Sequence, residues 1–545
     1  MAVIIFVCYA NIVQSPFLWD DEEMVINNPL IREWKYVKNI FTASAFGNKL
    51  TEGKFYRPLQ ILTYLFDYQI WGLNSIGYHV TNIFIHIINA VLVLLLLNYL
   101  GFSSLLALLG AAVFAVHPVG IEAITYISGR GDLLCVGFAL ACFNLFLIGS
   151  KKNKSYLFVA AFICYLASIL SKENTLFLPI ILSVYLLLYK KQYKQIANLL
   201  FLGSINLIMV SYIVFRLFFI NLSKSAALSL IASASYYERF LSIPKALVIY
   251  LKIFFFPINL HMEYHFVEKS LFSPFIWLGI PFLAAFFFLL IKLSKDKLLS
   301  IFGAAMLFLG LAIVLNIPMP LPSTVREHWL YFPQIGLIIM LLLIIPSRLS
   351  KKNKDYIIYA FVAILALFGI CTIMRNRDWR SPIILYEHDL QLEPKSFVLH
   401  NNLGVELFRL KFYSQAKKSF INSIETSPGK GYGTAYNNLA VILEEEDNLD
   451  QAVKLLKESI NSSNYYLAYI NIGRIYIKLN KPQLAITILK KGLKDYPMNI
   501  DIKYYLGVAY YFLNDIGGLN SVLQLMPPTG PEYIQLKNLA KKIKK

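Results

Sequence analysis

From the N-terminus to residue 374 the sequence is a succession of apolar runs, most of them near the length at which a helix crosses a bilayer. A hydrocarbon core of about 30 Å takes about 20 helical residues. Such runs lie near 1–18, 76–99, 103–119, 132–149, 155–171, 174–189, 195–220, 275–293, 298–316, 331–346 and 356–374, which predicts about eleven spans. Lipid leaves backbone groups no water to bond, so each span must be a helix or part of a closed barrel. Runs this long and uniform predict helices, and the expected fold class is all-α. The composition agrees: of 545 residues 57% are hydrophobic and 15% charged, against about 25% charged in a soluble domain. An ordinary soluble enzyme is excluded.

The formal charge of +19 would suggest nucleic acid on a soluble chain. Here the basic residues punctuate the apolar runs, and membrane orientation explains them better; no nucleic-acid partner is expected. Short cytoplasmic loops collect Lys and Arg. Lys151, Lys152 and Lys154; Lys190, Lys191 and Lys194; Lys292, Lys295 and Lys297; and Arg348, Lys351, Lys352 and Lys354 mark four inside loops. Residues 19–75, 117–131, 172–174, 221–274, 317–330 and all after 375 then face the far side. The run 241–257 would break this parity, but Pro244, Lys245 and Lys252 interrupt it, so it reads as interfacial or re-entrant. No Lys or Arg precedes the apolar residues 1–13, as a secretory leader requires, so a short or truncated first span is expected.

After Arg375 a period of about 34 residues begins. Leu403-Gly404, Leu439-Ala440, Ile472-Gly473 and Leu506-Gly507 recur 36, 33 and 34 residues apart, accompanied by Ala416, Phe420, Ala452, Leu456, Ala485 and Leu489. Small residues where paired helices touch, with large ones filling the groove, make the tetratricopeptide (TPR) pattern, an α-solenoid with a concave binding face. The fourth repeat is weaker, because Leu519 replaces the small residue. The expected organisation is a membrane domain over 1–374, a linker over 375–395 and a TPR domain over 396–545, with repeats near 397–430, 433–466, 466–499 and 500–533. Cys8, Cys135, Cys142, Cys164 and Cys371 form no CxxC pair and read as core or lipid-facing residues.

The first far-side loop opens with Trp19-Asp20-Asp21-Glu22-Glu23. Four adjacent carboxylates at a membrane surface repel one another and need cations, a metal or protons. Arg57, Arg130, Lys172 and Arg326 map to the same side, against the positive-inside trend. Cations would hold a phosphate and stabilise the charge that develops as it leaves, while a carboxylate deprotonates an incoming hydroxyl. This chemistry suits glycosyl transfer from a sugar carried on a polyprenyl phosphate.

At these residues the sequence resembles a known family. Pro16-Phe17-Leu18-Trp19-Asp20-Asp21-Glu22, Asn28-Pro29, Tyr56-Arg57-Pro58-Leu59, His79-Val80-Thr81-Asn82, His86, His117-Pro118, Glu122, Ser128-Gly129-Arg130-Gly131-Asp132, Ser171-Lys172-Glu173, Pro257-Ile258-Asn259-Leu260 to Tyr264 and Leu330-Tyr331-Phe332-Pro333, followed by TPRs, look like the transmembrane and tetratricopeptide-repeat O-mannosyltransferases. The resemblance implies a GT-C membrane fold and inverting transfer from a dolichyl- or polyprenyl-phosphate sugar. The active loop and the TPRs would face the periplasm or lumen. It maps the catalytic acid to Asp21, then Asp20, with Glu22 beside them, and the donor phosphate to Arg57, Arg130, Lys172 and Arg326. His117, Glu122, Asp132, Glu173 and Tyr331 support them. One departure stands out: the family pattern Glu-Arg-x-Leu-Tyr-x-Pro reads here Glu327-His328-Trp329-Leu330-Tyr331-Phe332-Pro333, with Arg326 as the substitute.

A divalent metal on Asp20 or Asp21 is compatible with the loop but not required by it. The sequons Asn221-Leu222-Ser223 and Asn461-Ser462-Ser463 matter only in a eukaryotic secretory pathway. The expected partners are a lipid-linked sugar donor and a protein or glycan acceptor engaged by the TPR groove. Two other readings share the outline: a polysaccharide polymerase or ligase, and a non-catalytic TPR scaffold or transporter.

Overall fold

A computed structural model describes all residues except 46–54, 190–195, 220–228, 318–319, 347–350, 430, 498, 529 and 544–545. The lysines of the second inside loop, Arg348 of the fourth and the Asn221 sequon lie outside the described residues. The chain divides into two compact units, Met1–Glu393 and Pro394–Lys545. Among the described residues the regular elements are helices, apart from one isolated antiparallel bridge between Tyr264 and Val325.

In the first unit every predicted apolar run contains a helix, but the runs and the helices differ in length. Ser75–Tyr99, Ile127–Lys152, Ile196–Phe218, Pro274–Leu293 and Asp355–Asp378 are long and apolar enough to cross a bilayer. Ser104–Val116 and Pro118–Thr125 make a sixth only as one span bent by 49°. Ala2–Ile12, Ser155–Ser171, Glu173–Leu188, Lys297–Leu311 and Gln334–Ile344 are shorter. Among the described residues five or six helices are therefore long and apolar enough to span, and the expectation of about eleven is not confirmed. The reason is visible at 298–316, where the apolar run continues but the helix stops at Leu311: hydropathy counts residues that helix length does not.

Ile127–Lys152 is the hub, 72% buried against 17% for Pro274–Leu293 and for Asp355–Asp378. Lys297–Leu311 and Gln334–Ile344 cross backbone to backbone. A Cβ on Gly336 would stand 2.3 Å from the Gly303 carbonyl oxygen, the close approach small residues permit between membrane helices. The run 241–257 lies in Tyr236–Phe255, opened by a Ser235–Glu238 capping box and interrupted by Pro244. Its four charges keep it out of the span set. Residues 375–395, expected as a linker, complete the helix Lys351–Asp378 and form another, Pro382–Leu392. Arg375 pairs with Asp389 at 2.9 Å, and Asp389 accepts from the Met262 amide at 2.9 Å, which ties that helix into the first unit.

The second unit is a solenoid of helix pairs: Phe397–Arg409 with Tyr413–Thr426, Gly433–Glu445 with Leu449–Ser463, Tyr466–Lys478 with Pro482–Asp495, and Ile500–Phe512 with Ile516–Gln524. The small-against-large logic read from the period is realised. A Cβ on Gly404 would meet the Phe420 ring at 2.6 Å, and one on Gly473 would meet Leu489 at 2.7 Å. In the fourth pair Gly507 instead faces Leu536 of a final helix, Pro531–Ile543. The first helices of three successive pairs are stitched by asparagines. Asn471 donates to Asn437 (2.9 Å), Asn437 to Asn438 (3.3 Å), Asn438 to Asn401 (3.0 Å) and Asn401 to Asn402 (3.4 Å). The Asn402 amide nitrogen at the end of this chain is buried without a partner.

Candidate functional site

The first loop leaves the Ala2–Ile12 helix through a turn that holds Trp19 at φ 47°, a left-handed backbone that costs a bulky residue about 1–3 kcal/mol. The turn sends two adjacent acids to different tasks. Asp21 is buried and both its oxygens are used: Oδ2 accepts from the Leu18 amide at 2.9 Å, and Oδ1 from the Ser128 amide at 2.8 Å and the Ser128 hydroxyl. Burial pushes its carboxyl up to about 7 against those hydrogen bonds. Asp21 fastens the first loop to the 127–129 turn. Asp20 is only half-buried, and its amide donates to Tyr126 Oη at 2.9 Å. Burial raises its carboxyl, while Arg326 and Arg57 pull it back. Glu22 opens the turn Glu22–Ile26.

Around Asp20 the structure closes a circuit of alternating charge. Arg326 stands 3.9 Å from Glu122, pairs closely with Glu263, sits 5.3 Å over the Trp19 ring and acts on Asp20 electrostatically. Glu122 pairs with His328 Nδ1 at 2.7 Å, and His328 Nε2 stands 4.0 Å from Asp132. Asp132 accepts from Lys172 and from Asn174, each at 2.7 Å. Lys172 adjoins Glu173, which is 3.9 Å from Arg57, and Arg57 acts on Asp20 electrostatically. The Tyr264–Val325 bridge sets the following and preceding residues in register, bringing Glu263 beside Arg326. Burial works against the Glu263 carboxylate, but Arg326 and His265 hold it below the usual range.

Of the expected residues, Asp20, Arg57, Glu122, Asp132, Lys172, Glu173 and Arg326 share this circuit. Arg130 does not. Its fully buried guanidinium pairs with Asp67 at 2.6 Å, bonds Asn82 Oδ1 and the Tyr78 carbonyl, and packs over the Tyr64 ring. No face is left for a ligand. Tyr331 is inside the bundle, bonded to His86 Nδ1 at 2.7 Å. His117 Nδ1 accepts from the Val119 amide, so Nε2 carries the proton and donates to the Phe254 carbonyl at 2.9 Å; it caps the helix break. Three members of the cluster were not singled out from sequence: Glu263, Tyr126 and Arg216. Arg216 stands 3.1 Å from Glu173 and is the single charge in Ile196–Phe219, a signal that hydropathy averages away.

Beside the circuit, Glu327 accepts from the His261 amide at 2.7 Å and Tyr264 Oη at 3.0 Å; burial lifts it to about 8 although Arg375 opposes. Together with Asp389 it anchors the 261–264 loop. As for a metal, no group of three or more His, Cys, Asp or Glu able to hold an ion occurs among the described residues. Asp21, one of the two acids considered for it, has both oxygens engaged.

The tetratricopeptide-repeat family model matches residues 433–465 and 466–494. Protein O-mannosyl-transferase F38B6.6 of Caenorhabditis elegans is 24% identical over 77% of this chain and 61% of its own length. Protein O-mannosyl-transferase TMTC3 of Mus musculus is 24% identical over 94% and 65%, and that of Homo sapiens 23% over 96% and 67%. This chain is similar to the protein O-mannosyl-transferases over most of its length. It spans about two thirds or less of those first two relatives. Among solved structures, ArnT from Cupriavidus metallidurans bound to undecaprenyl phosphate is 13% identical, covering 84% of this chain and 78% of its own, at a TM-score of 0.35. MamA covers 30% of this chain and 90% of its own, at 20% identity and a TM-score of 0.23.

Proposed function

We propose that the chain is a membrane glycosyltransferase of the GT-C kind. It moves a sugar, mannose by resemblance, from a polyprenyl- or dolichyl-phosphate carrier to a protein or glycan hydroxyl on the periplasmic or luminal side. The observation that carries this reading is Asp20: a half-buried carboxylate at a loop between membrane helices, facing two arginines, with its partner Asp21 committed to structure. Burial makes Asp20 more basic than a surface carboxylate. In the proposed step Asp20 takes the proton of the acceptor hydroxyl, the hydroxyl oxygen bonds to the anomeric carbon, and the carbon–oxygen bond to phosphate breaks. The electron pair leaves on the lipid phosphate, and attack from the opposite face inverts the centre. Cations of the circuit, placed before reaction, stabilise the phosphate's new charge without reorganising.

The TPR unit is proposed to engage the acceptor. Its asparagine chain runs through equivalent positions of successive repeats and ends on an Asn402 amide nitrogen without a partner, chemistry that suits an extended polypeptide more than an ion. The test is single-turnover transfer from radiolabelled polyprenyl-phosphate sugars by purified protein in lipid. Wild type should release label to acceptor or water, and Asp20→Asn should lose it at matched folding. Absence of turnover with every donor would count against the transferase and for a scaffold.

A further inference from the structure

His328 is a buried imidazole set between carboxylates of two different helices. Its Nδ1 lies 2.7 Å from Glu122 Oε2 and its Nε2 lies 4.0 Å from Asp132 Oδ2. The first contact is off the line of a good hydrogen bond and the second is too long for one, so charge decides which form of the ring fits. A neutral imidazole carries one proton and one lone pair. With the proton on Nδ1 the lone pair faces Asp132, and with the proton on Nε2 it faces Glu122. The imidazolium alone presents an N–H to both.

The two carboxylates belong to opposite halves of the circuit. Glu122 faces Arg326, which also pairs with Glu263 and acts on Asp20. Asp132 holds Lys172, which adjoins Glu173. Among the described residues no other basic side chain pairs with both Glu122 and Asp132. The charge count points the same way. Asp20, Glu122, Asp132, Glu173 and Glu263 outnumber Arg57, Lys172, Arg216 and Arg326 by one, and a proton on His328 closes that difference. The neighbouring titratable groups are otherwise engaged. The Tyr250 phenol, from Tyr236–Phe255, is within electrostatic reach of Glu122. Glu327 is turned to the His261 amide and Tyr264, and His265 faces Glu263, which Arg326 already pairs.

We infer that His328 is a positioning residue that works in its protonated form: the imidazolium bridges Glu122 and Asp132 and so keeps Arg326 and Lys172 in place for transfer. Once the proton leaves, Glu122 retains Arg326, at 3.9 Å, as its charged partner and competes for it with Asp20 and Glu263. Cations arranged before reaction are then disturbed, and transfer falls as pH rises. The consequence for rate rests on the transferase reading; the bridge does not.

The experiment uses the full chain in phosphatidylcholine nanodiscs and reads single-turnover release of label from radiolabelled polyprenyl-phosphate mannose at matched folding. Asp20 must be ionised and His328 protonated, so wild type should give a bell-shaped pH profile, falling about tenfold or more between pH 7 and pH 9. His328→Arg keeps a cation and should lose this alkaline limb, while His328→Gln should be slow throughout and also lack it. Burial lifts Asp21 to about 7 and Glu327 to about 8; a limb carried by either of them, or by His265, persists in both His328 variants and overturns the inference. A second readout needs no transfer. A double-mutant cycle of His328→Gln with Glu122→Gln, followed by thermal unfolding, should show coupling at pH 6 that is lost at pH 9, whereas His328→Arg should couple to Glu122 at both. Equal coupling of His328 and Glu122 at the two pH values overturns the protonated bridge. Where a single variant does not fold, Glu122→Gln with His328→Gln removes both charges, and an alkaline limb retained in that folded pair overturns the bridge as well. If the coupling behaves as expected but no sugar is released, the transferase reading falls and the bridge stands. If His328→Arg transfers with the limb of wild type, the bridge falls and the transferase stands.

Discussion

Asp21 makes a quantitative prediction because its carboxyl shifts from 3.8 to about 7 on folding. A group whose pKa rises on folding binds its proton more tightly in the folded state. Its stabilisation is complete below pH 3.8 and is lost as pH climbs through 7. At 1.36 kcal/mol per unit the whole effect is about 4 kcal/mol, and the part lost between pH 5 and pH 8 is roughly 2 to 3 kcal/mol. Unfolding of purified protein in bicelles, followed by tryptophan fluorescence across that range, should show wild type losing stability as pH rises. Asp21→Asn should remove that part of the slope. The same variant turns one oxygen that accepts an amide into an amide donor, at a cost of about 1–3 kcal/mol, but should keep transfer where it is folded. Asp20→Asn should do the reverse, folding normally and losing about 10²- to 10⁴-fold in rate as general bases do. Parallel pH slopes in wild type and Asp21→Asn, or transfer that survives Asp20→Asn and dies with Asp21→Asn, would refute the division of labour between the two acids.

Three further outcomes follow from the packing. Arg130→Met strands Asp67 in the protein and should cost about 3–5 kcal/mol, with Arg130→Met/Asp67→Leu recovering most of it, measured as thermal unfolding in detergent. Gly336→Ala drives a Cβ into the Gly303 carbonyl and should cost about 1–3 kcal/mol, whereas Gly203→Ala, with nothing within 4 Å of its Cβ, should be neutral or slightly stabilising in the same assay. Trp19→Gly relieves the left-handed backbone but removes the ring beneath Arg326, so the variant should melt higher and transfer more slowly.

The sequence exposed the helices more readily than their limits. Apolar composition is a local property, and each run folded as a helix; where a helix ends is decided by breaks such as His117-Pro118, where a buried imidazole accepts from the Val119 amide in the turn and donates to the Phe254 carbonyl of another helix. The TPR unit was legible in more detail because its period encodes contacts directly: Gly404 under Phe420 is a packing statement that recurs in sequence. Charged residues carried the site only as an inventory. Arg130 and Asp132 are two positions apart, yet Arg130 turns inward to Asp67 while Asp132 faces Lys172 and His328. Helical spacing puts residues i and i+2 on different sides once the helix is known to begin at Arg130, but no spacing rule names the partner that each side meets. Asp20 and Asp21 diverge for the same reason, with backbone rotation at Trp19 rather than residue type deciding which acid reaches the arginines.

The circuit also explains why so many ionised groups can be gathered at a membrane interface. Five carboxylates, Asp20, Glu122, Asp132, Glu173 and Glu263, stand against four fixed cations, Arg57, Lys172, Arg216 and Arg326, so the two sets differ by one; the last four carboxylates each have a basic group within 4.0 Å, and Arg326 and Arg57 act on Asp20 electrostatically. In the proposed reaction that balance does not change. A proton moves to Asp20, which loses its charge, while the phosphate gains one, so a single negative charge passes from the Arg326 side of the circuit to the Arg57 side. Arg57 faces both Asp20 and Glu173, and so stays beside the charge wherever it resides. A fixed cation between donor and base lowers the cost of moving charge between them, since no water or side chain must reorient as it moves. This gives Arg57 a role in the rate: its loss should depress transfer more than it weakens the binding of lipid phosphate.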